Sequence, residues 1–253
     1  MSMQGQKSTG MMQQLNTGFV LTILFSTSGV AWASDQGNAN SGIVQSKLMK
    51  SNYTDGSQFI NKMCSAADAM DSYSSNYQMS VNKKRPPVTQ AGTLAFRKPR
   101  LMRVQVTSGK NNGSLAILQD DGKVHGRPGG ALNVFKGSVS PDSPKVKAPN
   151  GIRMVDTDFS SLASYLRNML GKGKRSRLSS QPIQTDKSIS PTFVLDVYSG
   201  RPEHEHLVKR IYTDPTTFLP VFWEDYRHDK LYSESSWSDL KTNVSFPANF
   251  FTL

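Results

Sequence analysis

Three runs of β-branched and aromatic residues near the end of the chain predict an antiparallel sheet. Each is bounded by polar or turn-forming residues, and the runs are Leu207–Tyr212, Leu219–Arg227 and Leu231–Leu240. Asp214-Pro215 separates the first two, because proline fixes its own φ and biases the preceding residue toward extended geometry. The polar connection 228–230 has the length of a hairpin loop. The pattern therefore indicates a meander in which each strand pairs with the next.

Apolar residues at helical spacing predict two amphipathic helices. The first lies within 56–73, has Ser57 as a candidate N-cap, and buries Phe59, Ile60, Met63, Cys64, Ala67 and Met70. The second lies within 156–170, with Asp158 or Thr157 as its cap and Gly171 at its end. Its apolar face consists of Phe159, Leu162, Leu166, Met169 and Leu170.

Further strands are predicted between the helices and before the meander. Tyr73–Asn82 alternates, and Gly92–Thr107 is either a strand pair or one long strand broken at Pro99. Asp121-Gly122 predicts a hairpin after the short strand Leu115–Leu118. Phe193–Tyr198 then leads into the meander. Strands outnumber helices throughout, so the fold class is α+β with an antiparallel sheet.

The first 33 residues have the pattern of a secretory signal peptide. The apolar run Phe19–Phe25 is followed by small residues and by Ala31-Trp32-Ala33, an A-x-A cleavage motif. We therefore expect an exported protein that is soluble in the periplasm once residues 1–33 are removed. The remaining chain is divided into a flexible lead-in, 34–55, and a single domain, 56–253, in which the basic, Ser-rich stretch 171–190 is predicted to be a mobile loop.

Positive charge is concentrated in one part of the sequence. The formal net charge is +11, and residues 83–110 contain basic side chains but no acidic ones. Such asymmetry favours anionic partners, and an exported protein meets an anionic membrane surface or envelope component before it meets nucleic acid. No nucleic-acid partner is therefore predicted. The basic patch consists of Lys83, Lys84, Arg85, Arg97, Lys98, Arg100 and Arg103.

Residues that carry catalytic or metal chemistry are few. In a strand, His204 and His206 would point to the same face, an arrangement that could bind zinc or copper. Asp196 or Glu224 could supply a third ligand. A solvated hairpin end explains the Glu-His-Glu-His cluster more simply, so no metal site is predicted. The single cysteine, Cys64, fits a buried helical position. Neither a nucleophile motif nor a cofactor motif occurs, and we predict no enzyme activity and no cofactor.

An ordered set of short motifs runs through the meander. It consists of Asp214-Pro215, Leu219-Pro220, Asp239-Leu240-Lys241, Asn243 and Phe250. In order and spacing it resembles the C-terminal half of LolA-like bacterial exported proteins, a fold shared by periplasmic lipoprotein carriers and by a large family of unknown function. The resemblance covers most of residues 70–251 and is greatest to the branch of unknown function. In the carriers an arginine proposed to latch a lid precedes a proline; here Lys98 precedes Pro99, and lysine lacks the planar fork of arginine.

The resemblance implies an open half-barrel: a strongly curved antiparallel sheet whose concave face is covered by helices. Alternate side chains of such a sheet would line an apolar cavity. The cavity residues expected from the sheet are Leu94, Phe96, Met102, Val104, Leu115, Ile117, Phe193, Leu195, Leu219, Val221 and Trp223. Those expected from the covering helix are Phe159, Leu162 and Leu166.

Three functions remain open on the sequence. The first is a binding or carrier protein that shelters a lipid or a lipoprotein acyl chain. The second is an interaction or sensor module with a filled core, no lipid cargo and an envelope protein as its partner. The third is a metal-dependent hydrolase built on His204 and His206. The first function requires a cavity large enough for an acyl chain, whereas the second does not.

Overall fold

The computed structural model describes residues 53–130 and 136–253. The predicted signal peptide, 1–33, and the predicted lead-in up to residue 52 lie outside the described residues. Within them, no helix is long and apolar enough to cross a membrane.

Twelve strands of the described residues form one antiparallel sheet. In chain order they are β1 Tyr53–Thr54, β2 Ser72–Val81, β3 Val88–Arg97, β4 Leu101–Gly109, β5 Leu115–Leu118, β6 Val124–Arg127, β7 Gly137–Val139, β8 Arg175–Ser179, β9 Phe193–Ser199, β10 His206–Thr213, β11 Pro220–Arg227 and β12 Lys230–Thr242. Their order across the sheet is β1-β8-β9-β10-β11-β12-β2-β3-β4-β5-β6-β7. Almost every neighbour in space is a neighbour in sequence, which is the meander predicted for the C-terminal strands and extends well beyond them.

The sheet must curve strongly to form its core. Leu195 of β9 and Val124 of β6 belong to one cluster of buried apolar side chains. Eight strand spacings separate these strands, which in a flat sheet would place them about 38 Å apart. Within the described residues β1 and β7 are the two ends of the strand order and do not pair with each other. The result is the open, curved α+β half-barrel that the resemblance implied.

Two helices cover the concave face. The first, α1, spans Ser57–Asp68, and the second, α2, spans Phe159–Gly171. The predicted cap of α2 is confirmed, since Asp158 Oδ1 accepts the N–H of Ser161 at 2.9 Å. Ser57 does not cap α1; instead the Asp55 carboxylate accepts the N–H of Ser57 at 3.0 Å. Both apolar stripes join the central core, and Cys64 is buried there as expected.

Two predictions from polar composition are corrected by strand pairing. Residues 171–190 were predicted to be a mobile loop, but β8 lies inside this range and pairs with β9 from Arg175 to Leu178. The predicted lead-in ends in β1, which pairs with β8. β8 has a single apolar residue, Leu178, and β1 is two residues long, so neither strand shows the alternation from which a strand is predicted.

A smaller apolar cluster lies on the convex face. Ala95, Leu101, Leu115 and Ile117 pack there against Phe251 of the C-terminal segment. Phe246, Phe250 and Leu253 complete the cluster. Residues 244–253 thus form a strap across the outside of β3, β4 and β5.

Candidate functional site

A cavity of about 760 Å³ lies on the concave side of the sheet. This volume is in the range of ligand-binding pockets, which runs from roughly 300 to 1,000 Å³. Its walls are mainly apolar and come chiefly from eight strands, the segment before α2, and α2 itself. The apolar side chains that line it include Leu94, Val104, Val106, Ala116, Val124, Val139, Met154, Leu162, Trp223 and Trp237.

Strand register explains why these side chains meet. Leu94 of β3 lies opposite Val104 of β4, which lies opposite Ala116 of β5. Paired residues of an antiparallel sheet project to the same face, so the three side chains form one apolar row. Small residues at the end of the row leave room, because Gly126 follows Ala116 in register on β6. The cavity therefore lies where the row loses side-chain volume.

One carboxylate, Asp225, lines the cavity among the described residues, and its hydrogen bonds are made within the protein. Its Oδ1 pairs with the ammonium of Lys209 and accepts the indole N–H of Trp223 at 3.1 Å. Its Oδ2 accepts the hydroxyl of Ser233 at 2.8 Å. Lys209 also lies over the rings of Tyr165 and Trp223. Asp225 is thus fixed in place by three donors.

A second polar contact lies on β2 and β3. The Tyr77 hydroxyl donates to Gln90 Oε1 at 3.4 Å, and Gln90 Nε2 donates to the Lys110 carbonyl at 2.9 Å. Burial raises the pKa of Tyr77 to about 12, because the phenolate would lose its hydration. Tyr77 and Gln90 therefore present neutral groups to the cavity.

One side of the cavity is bordered by the rim segment, residues 140–153. Arg153 holds this segment by donating to Asp156 at 2.6 and 2.8 Å and to Asp142 at 2.6 Å. Lys83 reaches it from the β2–β3 turn and donates to the Pro149 carbonyl at 3.0 Å. Lys145 and Lys147 of the rim segment line the cavity and are exposed.

Five of the fourteen predicted cavity residues border the observed cavity: Leu94, Val104, Leu162 and Trp223 on the concave side, and Leu115 at the start of β5, whose side chain belongs to the convex cluster. Most of the others belong to the central core and do not border the cavity. These are Phe96, Met102, Phe159, Leu166, Leu195 and Leu219, with Phe193 packed against them. Val221 is half-buried and does not line the cavity. Ile117 projects to the convex face, where it packs with Phe251, because it is one residue out of phase with Ala116.

The predicted basic patch is not one surface. Lys83, Lys84 and Arg85 lie in the β2–β3 turn, whereas the others lie at or beyond the opposite end of β3, about 30 Å away along the strand. Arg97 lies over the ring of Phe251, and Arg103 donates to the Phe250 carbonyl at 2.8 Å. Lys98 and Arg100 belong to the β3–β4 turn. The prediction of a single patch was wrong because the basic residues, although close in sequence, lie at the two ends of a ten-residue strand.

Lys98, at the position of the carriers' proposed latch, contacts the end of α1. Its ammonium donates to the Asp68 carbonyl at 2.7 Å and to Asp71 Oδ1 at 2.9 Å. This side chain is substantially exposed, so the contact ties the β3–β4 turn to the helix by a solvated ion pair.

The Glu-His-Glu-His cluster begins in a short 3₁₀ helix, Pro202–His204, rather than in a strand. Glu205 pairs with Arg175 and Arg177 of β8, and His204 is exposed. No group of three metal-ligating side chains occurs in the part of the chain that the structure describes.

The rim segment was missed in the sequence. Its Pro, Gly and Lys content is that of an ordinary loop, but the structure shows a 3₁₀ turn at Pro144–Val146, the Lys147–Arg153 bridge and a turn at Gly151. Gly129 permits a close approach of two chain segments, because a Cβ there would lie 1.8 Å from the Asn112 carbonyl oxygen.

No protein-family model matches the chain, and no curated protein sequence matches it. Solved structures do resemble it. A DUF1329 family protein from Desulfovibrio piger has 12% identity and a TM-score of 0.41, covering 78% of this chain and 95% of that one. A LolA superfamily protein from Nitrosomonas europaea has 11% identity and a TM-score of 0.38, covering 79% and 98%. LprF from Mycobacterium bovis has 13% identity and a TM-score of 0.39, covering 76% and 95%.

Identities and TM-scores at this level carry no inference about activity. In residues 53–130 and 136–253, twelve antiparallel strands form an open sheet whose concave face carries two helices. The chain has a LolA-like fold, as the motifs of its C-terminal meander indicated.

Proposed function

We propose that this chain is an exported binding or carrier protein that shelters the acyl chain of a lipid or lipoprotein in its concave cavity. The observation that carries the proposal is the cavity of about 760 Å³ with apolar walls beneath the rim segment and α2. Each methylene moved from water into such a site gains about 0.8 kcal/mol. Ten buried methylenes would gain roughly 8 kcal/mol, which corresponds to micromolar affinity before ordering costs are subtracted.

The polar groups of the cavity support binding rather than catalysis. Asp225 is held by Lys209, Trp223 and Ser233, so it is not free to act as a base. Tyr77 keeps its proton well above neutral pH. A ligand would therefore be bound mainly through apolar contacts, and the cavity offers few polar groups that would select among acyl chains.

The cavity also favours this proposal over the interaction module with a filled core. In a filled core the row Leu94, Val104 and Ala116 would be covered by side chains from the helices. Instead all three line open space. A stoichiometric envelope protein with no lipid in the purified sample would nevertheless restore the interaction module.

Native mass spectrometry of protein purified without detergent tests the proposal. We expect adducts of lipid mass that organic extraction removes and that added phospholipid or lipopeptide restores. Ala116→Phe should lower lipid occupancy at least tenfold, because the ring would occupy the cavity. Thr93→Phe is the matched control, since Thr93 is exposed on the convex side of the neighbouring sheet region. Unmodified protein that binds no lipid under any condition would overturn the proposal.

Export is tested separately. Expression of the full chain in a Gram-negative host, followed by fractionation and N-terminal sequencing, should give a periplasmic protein that begins near Ser34. Retention of residues 1–33 would contradict the proposed location without affecting the cavity.

A further inference from the structure

We propose that the rim segment, residues 140–153, binds the anionic phosphate head of an amphiphile whose acyl chain occupies the cavity. The inference rests on the proposed function and adds the class of cargo. It concerns Lys145, Lys147 and Asn150, which lie outside the basic patch predicted from the sequence.

Charge at the rim is unbalanced. Arg153 engages both acidic residues of the segment and its boundary, Asp142 and Asp156. Lys145 and Lys147 make no ion pair with any described residue, and both line the cavity. Two exposed cations at the edge of an apolar cavity match an amphiphile that carries negative charge at one end.

An amide in the same segment has an unmatched donor. Asn150 lines the cavity, and its Oδ1 accepts the N–H of Ile152 at 3.1 Å, which fixes the orientation of the amide. Its Nδ2 is buried and has no acceptor within the described residues. A buried donor without an acceptor is costly, and an oxygen of a phosphate head would remove that cost.

The rim segment is held in position independently of the ligand. The Arg153 contacts, the Lys83 bond to the Pro149 carbonyl and the Lys147–Arg153 bridge anchor its two sides. Lys145 and Lys147 therefore project from a preorganised backbone, which limits the ordering cost of head-group binding.

Titration with three amphiphiles of identical acyl chain, below their micelle concentrations, tests the inference. The set is lysophosphatidylglycerol, lysophosphatidylcholine and a monoacylglycerol, and the readout is the fluorescence of Trp223 and Trp237, which line the cavity. We expect lysophosphatidylglycerol to bind roughly tenfold more tightly than the other two at low salt. The difference should shrink as ionic strength rises, because the rim charges are exposed.

Variants separate the rim from the overall charge. Lys145→Gln/Lys147→Gln should abolish the preference and leave monoacylglycerol affinity unchanged. Lys230→Gln/Lys241→Gln removes the same charge from exposed positions away from the cavity and should retain it. Asn150→Asp keeps the acceptor for the Ile152 N–H but loses the amide donor. It should therefore bind lysophosphatidylglycerol more weakly than the unmodified protein does.

The outcomes distinguish the two proposals. Equal affinity for all three amphiphiles, or a preference that survives Lys145→Gln/Lys147→Gln, overturns the head-group site while the carrier function stands. Absence of binding by all three overturns both.

Discussion

Trp223 and Trp237 lie on adjacent strands and border the same cavity. Trp223 of β11 is paired with Ser235 of β12, so Trp237 is two residues further along and projects to the same face. Two of the three tryptophans of the chain therefore sample whatever occupies the cavity.

The first prediction follows from this pair. A fatty acid brominated along its chain should quench most of the tryptophan emission of the mature protein, whereas the unbrominated acid should shift the emission to shorter wavelength. Trp237→Phe should retain quenching of Trp223. Tryptophan emission that changes with neither acid, in a protein shown by circular dichroism to be folded, would contradict the proposed placement of the acyl chain.

The second prediction concerns the ion pair of Lys209 and Asp225. Asp225→Asn should destabilise the protein by about 3–5 kcal/mol, because it leaves the Lys209 ammonium largely buried without its counter-charge. Guanidinium denaturation measures the change. Lys209→Met/Asp225→Asn should recover most of the loss, since it removes both charges. A double variant as unstable as Asp225→Asn would show that the two charges are not coupled.

The third prediction concerns Glu224 on the convex face. Burial raises the pKa of this carboxyl, although a hydrogen bond from Tyr226 at 2.9 Å and the nearby cations oppose the effect. The charged neighbours are Lys187, Arg210 and Glu234. A carboxyl with a raised folded-state pKa contributes stability that is complete below its unfolded pKa and is lost as pH rises through its folded pKa.

Denaturation at several pH values above about 4.5 checks this sign. Glu224→Gln should remove the corresponding loss of stability with rising pH, so the variant should gain relative to the unmodified protein from acidic to neutral pH. Glu203→Gln changes the same charge at an exposed site and should leave the slope unaltered. A slope that is identical in all three proteins would contradict the buried-carboxyl explanation.

The sequence predicted the helices and strands far better than it predicted which of their apolar residues line the cavity. The strands of the meander, both helices and the Asp158 cap follow from local spacing, which one stretch of chain determines by itself. Whether a residue is core or cavity depends on what the opposite element supplies. Phe96 and Leu94 lie on the same face of β3 and belong to the same buried apolar cluster, yet only Leu94 also borders the cavity.

The rim could not be predicted for a similar reason. The site proposed for Lys145 and Lys147 depends on Arg153 pairing with the neighbouring carboxylates and on the segment bordering the cavity. None of these contacts has a periodic pattern. The basic residues from Lys83 to Arg103 stood out by density, but a strand of ten residues carries them to opposite ends of the sheet.

The last prediction concerns the strap across the convex face. Phe251 is 4% exposed and packs on Ala95, Leu101 and Ile117, with the Arg97 guanidinium 5.0 Å from its ring centroid. Phe251→Ala should destabilise the protein by about 3–5 kcal/mol, because it removes a buried ring and leaves a cavity. Thr252→Ala, at the exposed neighbouring residue, should cost much less. The strap and the proposed acyl-chain site lie on opposite sides of the sheet. The lipid affinity of folded Phe251→Ala protein should therefore be unchanged. A loss of affinity that accompanies the loss of stability would show that strap and cavity are coupled through β3, β4 and β5.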